Sequence, residues 1–331
     1  MARPNGPLAG RPLDGLSDNG CVFTSAGAEA VLRYGDPTDL LLPVVKGHGT
    51  ENDFVLVPDL QGERVLSIAQ VRFLANRRTG LGGDGVIRVA PTASSTEPAV
   101  REQSGRARWF MDYRNADGSI AQMCGNGVRV FATYLRARGL EAADDFAVAT
   151  RSGPRTVTFD GDVVTVGMGR WDLLDPSHDA ARGFDVLVAV PGLDPLPGMT
   201  LGLGNPHAVV ALPDTVDLDA LDLTRGLLVN PEPAEGINVE LVRTVGEGHL
   251  RMRVVERGVG ETRSCGSGAC AAVLAVMVWS GDVSTPLRTP QPWTVDVPGG
   301  RLGVRALPDH TVELTGPAVL VAQGVVRLPA V

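Results

Sequence analysis

Two short motifs in this chain carry the residue types that could do chemistry at the start of a helix. Residues 123–127 (MCGNG) and 264–268 (SCGSG) each place a cysteine and two glycines before an apolar stretch with helical spacing. Glycine lets the backbone approach a ligand closely, and the free N–H groups of a helix start form an anion site. The helix dipole also stabilises a thiolate, so we expect Cys124 and Cys265 to have a pKa below the ~8.5 of free cysteine.

A pair of such thiols suits the inversion of a carbon stereocentre without a cofactor, which needs a base on one face and an acid on the other. Two sulfurs flanking a carbon atom would lie about 7 Å apart, and at an effective dielectric of ~20 two thiolates there repel by about 2.4 kcal/mol. The pair therefore favours one thiolate and one thiol. The helix N-termini could hold a carboxylate and the enolate-like charge that develops beside it.

The rest of the chain must position these motifs, and its patterns predict two long helices among many short strands. The long helices are predicted over residues 128–138 and 267–279, a short helix over 67–76, and the polar stretch 91–108 is interpreted as a solvated loop. Strand-like runs are predicted at 43–46, 54–58, 86–89, 108–113, 146–149, 156–159, 163–166, 184–190, 208–212, 237–242, 250–255, 293–297, 302–306, 311–314 and 319–322. Because each long helix follows the same motif, we interpret the chain as an internal repeat whose two motifs face each other.

Composition excludes several classes of protein. The chain has 331 residues, of which 44% are hydrophobic and 21% charged, and its formal net charge is −8. This balance indicates a globular protein of about two domains and gives no basic footprint for nucleic acid or an anionic membrane. No apolar run could span a bilayer, no signal peptide is recognisable, and four cysteines are too few for a disulfide scaffold. We therefore expect a cytoplasmic protein with reduced thiols and no metal site.

The scarcity of lysine bears on the cofactor. Of the 30 basic residues only Lys46 is a lysine, and the other 29 are arginines. A pyridoxal-phosphate enzyme needs a lysine for its Schiff base, so only Lys46 could serve. Since Lys46 is far from both cysteine motifs in sequence, we expect no cofactor.

Further segments around the two motifs resemble the diaminopimelate epimerase family. The resemblance runs from about Val44 to the C-terminus in the family's order, and it does not cover residues 1–42, which we interpret as an extension that is partly disordered. The segments that carry it are KGHGTENDF (46–54), NADGS (115–119), MCGNG (123–127), GNPH (204–207), EGINV (235–239) and ERGVGETRSCGSG (256–268).

The resemblance implies roles for individual residues. Cys124 and Cys265 would be the two acid/base thiols, with His207 and Glu256 beside the reacting centre. The reacting amino-acid end would be held by Gly125, Asn126, Gly266 and Ser267. The distal amino-acid end would be held by Asn52, Asn115, Asn205, Asn238 and Arg257, since arginine can bind a carboxylate through two hydrogen bonds.

The family resemblance also implies a fold, an activity and an assembly. The fold would be α/β (α+β), with two pseudo-symmetric domains, each a β barrel-like sheet around a central helix. The first domain would comprise residues 43–165 plus 313–331, and the second residues 166–312. The activity would be the cofactor-independent interconversion of LL- and meso-diaminopimelate in lysine biosynthesis, by a homodimer.

Two alternative functions stay open. A proline or hydroxyproline racemase also uses two thiols, but such an enzyme typically carries histidine at the position of Asn126. Asn126 and the four asparagines assigned to the distal end also suit an open-chain ligand with two zwitterionic ends better than a ring. A non-catalytic amino-acid-binding protein on the same fold would be expected to lack one thiol, and both are present.

Overall fold

The structure is a computed structural model that describes residues 40–174, 183–281 and 291–329. The described strands are β1 (Leu40–Gly49), β2 (Asn52–Pro58), β3 (Gly85–Pro91), β4 (Trp109–Asn115), β5 (Asp145–Ala149), β6 (Arg155–Asp160), β7 (Val163–Arg170), β8 (Asp172–Leu173), β9 (Val186–Ala189), β10 (Leu196–Gly202), β11 (Pro206–Ala211), β12 (Leu228–Asn230), β13 (Asn238–Gly246), β14 (His249–Glu256), β15 (Gly260–Thr262), β16 (Gln291–Val297), β17 (Gly300–Ala306), β18 (Thr311–Pro317) and β19 (Val319–Leu328). The α-helices are α1 (Ile68–Ala75), α2 (Pro98–Arg101), α3 (Gly125–Ala137) and α4 (Gly266–Trp279), with 3-10 helices at Thr92–Ser94, Glu102–Gly105 and Leu218–Ala220.

Strand pairing shows that the chain is an internal repeat. From β1 to β7 successive strands pair antiparallel, parallel, antiparallel, parallel, antiparallel and antiparallel. The series β10, β11, β13, β14, β16, β17 and β18 follows the same order. The last strand of each series, β7 and β18, pair antiparallel with each other. The mixed α/β fold with two similar halves is therefore confirmed.

Each half of the repeat has one long helix in the second parallel crossover, between β4 and β5 for α3 and between β14 and β16 for α4. Helix α3 contacts β2, β3, β4, β7 and β18, whereas α4 contacts the second series from β10 to β18. Apolar side chains of both helices are buried against these strands, including Val128, Phe131, Leu135, Val273 and Leu274. Each such side chain contributes about 1.5–3 kcal/mol by burial, so the sheets hold both helices firmly.

Most of the predicted elements are present, and the exceptions have physical reasons. The helix at 67–76 is α1, and Ser67 and Gln70 form a reciprocal capping box at its start. The interpretation of 91–108 as a loop is wrong, because Pro98 begins a short helix that buries Val100. Strand β10 was missed because its sequence contains Pro197 and Gly198, which disfavour strands. The short strands β8, β12 and β15 were missed as well.

The proposed extension at residues 1–42 lies outside the described residues, except that β1 already begins at Leu40. By contact density Leu42–Val326 form one compact unit, and every site residue discussed below lies within it. The finer division into domains of 43–165 plus 313–331 and of 166–312 stays a prediction.

A close backbone contact joins the β1–β2 hairpin to the turn between β16 and β17. An ideal Cβ on Gly299 would lie 1.9 Å from the carbonyl oxygen of Thr50 and 2.6 Å from its carbonyl carbon. The Gly299 amide also donates to the Arg263 carbonyl at 2.9 Å. Only glycine fits here, so this position fixes how closely the two halves approach.

We expect Gly299→Ala to destabilise the protein by about 1–3 kcal/mol, because the added methyl group must displace backbone. Urea denaturation measures this loss. Gly105→Ala is the matched control, since an ideal Cβ there meets nothing within 4 Å. Equal midpoints for the two variants would contradict the contact.

Candidate active site

The two motif cysteines occupy equivalent positions, each at the residue that precedes a long helix. Cys124 caps α3 and Cys265 caps α4, both with extended backbone. The Cys124 sulfur accepts from the Gly127 amide and the Cys265 sulfur from the Gly268 amide, each at 3.4 Å. A thiol thus stands where serine or aspartate usually caps a helix.

The two helix starts lie against each other. The Asn126 side-chain amide in α3 donates to the carbonyl oxygen of Ser264 at 3.3 Å and to its hydroxyl at 3.2 Å. An ideal Cβ on Gly266 would lie 3.4 Å from the Asn126 oxygen. The sequence's prediction that the two motifs face each other therefore agrees with this geometry.

One leucine side chain packs closely against the first residue of both long helices, which is glycine in each case. The Leu314 Cδ2 atom lies 2.9 Å from an ideal Cβ on Gly125 and 2.7 Å from one on Gly266. Leu314 belongs to β18, the strand that pairs with β7 of the first half. The strand that joins the halves thus also sets the spacing of the two helix starts.

On the Cys124 side, an amide links the thiol to a carboxylate. The Asn52 Oδ1 atom lies 3.6 Å from the Cys124 sulfur and accepts from Asn126 at 3.3 Å. The Asn52 Nδ2 atom donates to Asp84 at 2.7 Å, and Arg77 donates to the other Asp84 oxygen at 2.8 Å. Asp84 therefore fixes which end of the Asn52 amide faces the thiol.

Asp84 is a positioning residue that the sequence did not single out. It lies in the glycine-rich segment 80–85, directly before β3. Lys46 supports the same region, since its ammonium group pairs with Asp53 at 2.6 Å and donates to the Gly82 carbonyl. These contacts hold the loop that carries Asp84 against β2.

In the second half, a buried imidazole pairs with a buried carboxylate. The His207 Nδ1 atom lies 2.7 Å from Glu240, both side chains are fully buried, and Nε2 lies 3.0 Å from the Asn205 oxygen. The Glu240 carboxylate also approaches α4, lying 2.5 Å from an ideal Cβ on Gly268. Glu240 was missed by the sequence analysis, because a carboxylate within an apolar strand carries no motif.

Other predicted residues lie at the same edge of the second half. The Asn238 amide donates to the Pro206 carbonyl at 3.2 Å and accepts from the Arg257 backbone at 3.0 Å. The Arg257 guanidinium donates to the Glu235 carbonyl at 2.9 Å, and its side chain is 42% exposed. Arg257 is thus anchored at one nitrogen and has further donors for a ligand.

Two predicted residues are placed mainly by their own turns. The Asn115 amide donates to the Ser119 hydroxyl at 2.9 Å, and within the described ranges it bonds to no other predicted site residue. It nevertheless pairs across the sheet with Gly85, next to Asp84. The Ser267 hydroxyl lies 3.6 Å from the Cys265 sulfur.

The thiol pKa values differ from the sequence expectation. Burial and, to a smaller extent, the Glu256 carboxylate raise the pKa of Cys124 to about 11, against the lowering effect of the Gly127 amide. Burial, Glu256 and Glu240 raise the pKa of Cys265 well above its usual value. The prediction of lowered pKa values is wrong, because burial and the carboxylates of Glu256 and Glu240 outweigh the helix starts.

Glu256 is itself perturbed. Burial raises its pKa, although the Thr262 hydroxyl donates to it and lowers the pKa in part. A buried carboxyl group that acts on both thiols can hold a proton taken from either of them. Glu256 therefore acts on both thiols, and its place beside the reacting centre stays a prediction.

A buried guanidinium in α3 is linked to the second motif through two hydroxyl groups. Arg129 in α3 has no exposed surface, and burial lowers its pKa to about 10. It donates to the Thr50 hydroxyl at 3.4 Å, which lies 2.7 Å from the Ser264 hydroxyl. In the described part of the chain no carboxylate pairs with it, and the ionisable groups that act on it are the thiols of Cys124 and Cys270.

The arrangement therefore joins two thiols, a carboxyl group that acts on both, and two helix starts that can bind an anion.

No described helix is long and apolar enough to cross a membrane. Among the described residues, no cluster of three or more histidine, cysteine and acidic side chains could hold a metal ion.

Solved structures define the class of fold. A hydroxyproline epimerase from Agrobacterium vitis matches with a TM-score of 0.59 and 15% identity, covering 87% of this chain and 93% of that chain. A PhzF-family phenazine biosynthesis protein from Bacillus anthracis matches with a TM-score of 0.60 and 16% identity, covering 87% and 100%. The chain shares the two-repeat α/β fold of these proteins.

Sequence comparison gives the family within that class. The family model described as diaminopimelate epimerase matches residues 44–174 and 199–321. The diaminopimelate epimerases of Streptomyces coelicolor and Thermobifida fusca are each 48% identical to this chain, covering 85% and 86% of it and 93% and 98% of their own lengths. The chain belongs to the diaminopimelate epimerase family and is an isomerase, as the sequence predicted.

The raised thiol pKa values predict slow alkylation of the unliganded protein near neutral pH. A thiol is reactive only when deprotonated, so below its pKa the rate rises about tenfold per pH unit. We expect iodoacetamide modification of Cys124 to keep rising from pH 7 to pH 9.5, measured by peptide mass mapping. Glutathione, reacted in parallel, gives the response of an unperturbed thiol, and a plateau for Cys124 below pH 8.5 would contradict the burial effect.

Proposed function

We propose that this chain interconverts LL- and meso-diaminopimelate with Cys124 and Cys265 as the two acid/base groups, in the pathway of lysine biosynthesis. The observation that carries the proposal is the placement of two equivalent thiols on two helix starts that Asn126 and Ser264 join. A base and an acid on opposite faces of one carbon atom are what inversion of a stereocentre requires.

In the proposed reaction one thiolate removes the proton from the reacting Cα and the other thiol delivers its proton to the opposite face. The electron pair left by the first proton moves into the adjacent carboxylate as an enolate-like charge. N–H groups at the starts of α3 and α4 can stabilise that charge, and each such donor contributes about 3 kcal/mol in a closed site. The two thiols exchange roles in the reverse direction.

Generation of the thiolate has a clear physical route in this site. Each thiol lies under the electrostatic influence of Glu256, whose own pKa is raised by burial. A proton can therefore pass from a thiol to this carboxylate at a smaller cost than from a thiol to water. The ammonium group of a bound amino acid adds a positive charge, which lowers the raised thiol pKa.

The distal end of the substrate is assigned to the amide and guanidinium groups at the strand ends. Asn52, Asn115, Asn205, Asn238 and Arg257 carry the donors and acceptors that an ammonium and a carboxylate need. Support comes from the backbone and side-chain bonds that fix Asn238 beside Arg257 and Asn52 beside the thiol.

The proposal includes a cytoplasmic homodimer that uses no pyridoxal phosphate. Lys46 supports the last point, since its ammonium group is held by Asp53 and by the Gly82 carbonyl. Extensively dialysed protein should therefore keep full activity, and a return of lost activity on adding pyridoxal phosphate would refute this part.

Purified protein should convert LL-diaminopimelate to the meso isomer, and Cys124→Ser and Cys265→Ser should each reduce kcat by at least about 100-fold. Serine caps a helix well, so these variants remove the acid/base group while keeping the helix start intact. Meso product formed in heavy water at low conversion should carry one solvent deuterium at the reacting carbon. Chiral chromatography and mass spectrometry measure both results.

The matched control is Cys270→Ser, which removes a buried thiol on α4 outside the motif. It should keep kcat within a few-fold of the unmodified chain. Near-normal turnover by either motif variant would exclude the two-thiol mechanism, and turnover of proline but not of diaminopimelate would favour the racemase alternative.

Arg257→Ala should raise KM for diaminopimelate at least about tenfold, because a charge-assisted contact to a carboxylate is lost. Arg257→Lys should recover only part of the loss, since lysine cannot form the paired hydrogen bonds. Arg251→Ala is the matched control, because its side chain is 43% exposed and paired with Asp219. If both alanine variants show unchanged steady-state kinetics, Arg257 does not bind substrate.

A further inference from the structure

The turn between β1 and β2 holds residues that a tight turn does not favour. Gly49 pairs with Asn52, so the connecting loop has two residues, Thr50 and Glu51. Both have left-handed backbone, with φ values of 50° and 62°. A two-residue hairpin loop of this kind favours asparagine or aspartate followed by glycine, and a side chain branched at Cβ is strained there. The contacts of Thr50 supply a reason for threonine at this strained position.

The Thr50 side chain bridges the two halves of the repeat. Thr50 is only 3% exposed, and its hydroxyl oxygen lies 2.7 Å from the hydroxyl of Ser264, the residue directly before Cys265. The same oxygen accepts from the Arg129 guanidinium in α3 at 3.4 Å. One buried hydroxyl therefore connects the helix that Cys124 caps with the residue that precedes the other thiol.

Backbone on both sides of the turn keeps this hydroxyl in place. An ideal Cβ on Gly299 would lie 1.9 Å from the Thr50 carbonyl oxygen, and one on Gly49 would lie 2.9 Å from the Arg129 Nη2 atom. The Arg129 Nε atom also donates to the Pro317 carbonyl at the end of β18, at 3.3 Å. A strained backbone persists only where its surroundings determine it in this way.

The strand that follows the turn reaches the other thiol. Asn52 is the first residue of β2, and its side-chain oxygen lies 3.6 Å from the Cys124 sulfur. Thr50, two residues earlier, contacts Ser264. A segment of three residues thus contacts one thiol directly and the residue next to the other, so the position of Cys265 relative to Cys124 depends on it.

We propose that Thr50 is a positioning residue for the epimerisation, whose hydroxyl holds the segment before Cys265 against the start of α3. It acts through Ser264 and transfers no proton itself. A thiol and the carbon atom that it protonates must come within about 3–3.5 Å, so a small displacement of either thiol lowers the rate. This inference deepens the proposed function and rests on it for the role of the thiols.

Glu51, the other residue of the turn, provides the matched control. Its carboxylate pairs with the Arg263 guanidinium, but the two side chains are 50% and 59% exposed. An exposed ion pair of this kind contributes little to stability. Glu51→Gly relieves left-handed strain in the same turn and leaves the Thr50 hydroxyl in place.

The test is Thr50→Gly, because glycine adopts the left-handed backbone without strain and lacks the hydroxyl. We expect kcat for LL-diaminopimelate to fall at least about tenfold and KM to stay within about twofold, since the thiols shift while the groups that bind the distal end do not. Thr50→Ser restores the hydroxyl and should recover most of the loss. Glu51→Gly should leave kcat and KM unchanged.

Ser264→Ala tests the same contact from its other end. If Thr50 acts through Ser264, the double variant loses no more kcat than the more damaging single variant, because both substitutions break one contact. Losses that multiply would show that Thr50 acts elsewhere. The proposal is also wrong if Thr50→Gly keeps the kcat of the unmodified chain, or if Thr50→Ser recovers none of the loss.

Hydrogen–deuterium exchange without substrate lets the two proposals fail separately. The backbone amides of residues 264–268 should exchange faster in Thr50→Gly than in the unmodified chain, whereas Glu51→Gly should leave their exchange unchanged. Equal protection in Thr50→Gly would overturn the role of Thr50, even for a chain that does not turn over diaminopimelate. Absence of turnover by the unmodified chain would overturn the proposed function instead.

Discussion

The whole site depends on the hydrogen bonds that tie the start of one long helix to Ser264, two residues before the start of the other. Asn126 in α3 spans this junction by donating to both oxygens of Ser264, and it is fully buried. A buried amide of this kind is costly if it loses its partners, so it holds the two helix starts in one arrangement. Leu314 limits their approach from the sheet side through its contacts with Gly125 and Gly266. The spacing of the two thiols is therefore set by side chains that take no part in proton transfer.

Electrostatics at this junction work against the thiolates in the unliganded protein. The helix starts favour negative charge, but burial and the carboxylates of Glu256 and Glu240 raise both thiol pKa values. Arg129 supplies a buried positive charge on the Cys124 side without a carboxylate partner among the residues at 40–174, 183–281 and 291–329. The raised pKa values of both thiols also limit their oxidation, because the thiolate is the form that oxidises.

The sequence predicted the candidate reacting residues better than it predicted the residues that position them. The repeat and the two cysteine motifs could be found because glycine spacing and helix starts follow local rules. Asp84 and Glu240 could not be found in this way, since each acts on a residue about 30 positions away through the pairing of parallel strands. The predicted direction of the shift in the thiol pKa values was wrong for a related reason. A helix start is a local feature of the sequence, whereas burial and nearby carboxylates depend on the tertiary structure.

The two halves repeat the backbone but differ in charge. In the first half Asp84 holds the amide of Asn52 beside Cys124, and in the second Glu240 holds the imidazole of His207 near α4. Each pair joins residues on or next to adjacent parallel strands, β2 with β3 and β11 with β13. A racemase whose substrate has one stereocentre binds two mirror-image forms of that substrate. This symmetry favours similar surroundings for its two bases. Diaminopimelate has a second stereocentre of fixed configuration, so the two faces of its reacting carbon are diastereotopic. The repeat therefore supplies two equivalent thiol positions, while the unequal partners around them suit a substrate whose two faces are not equivalent.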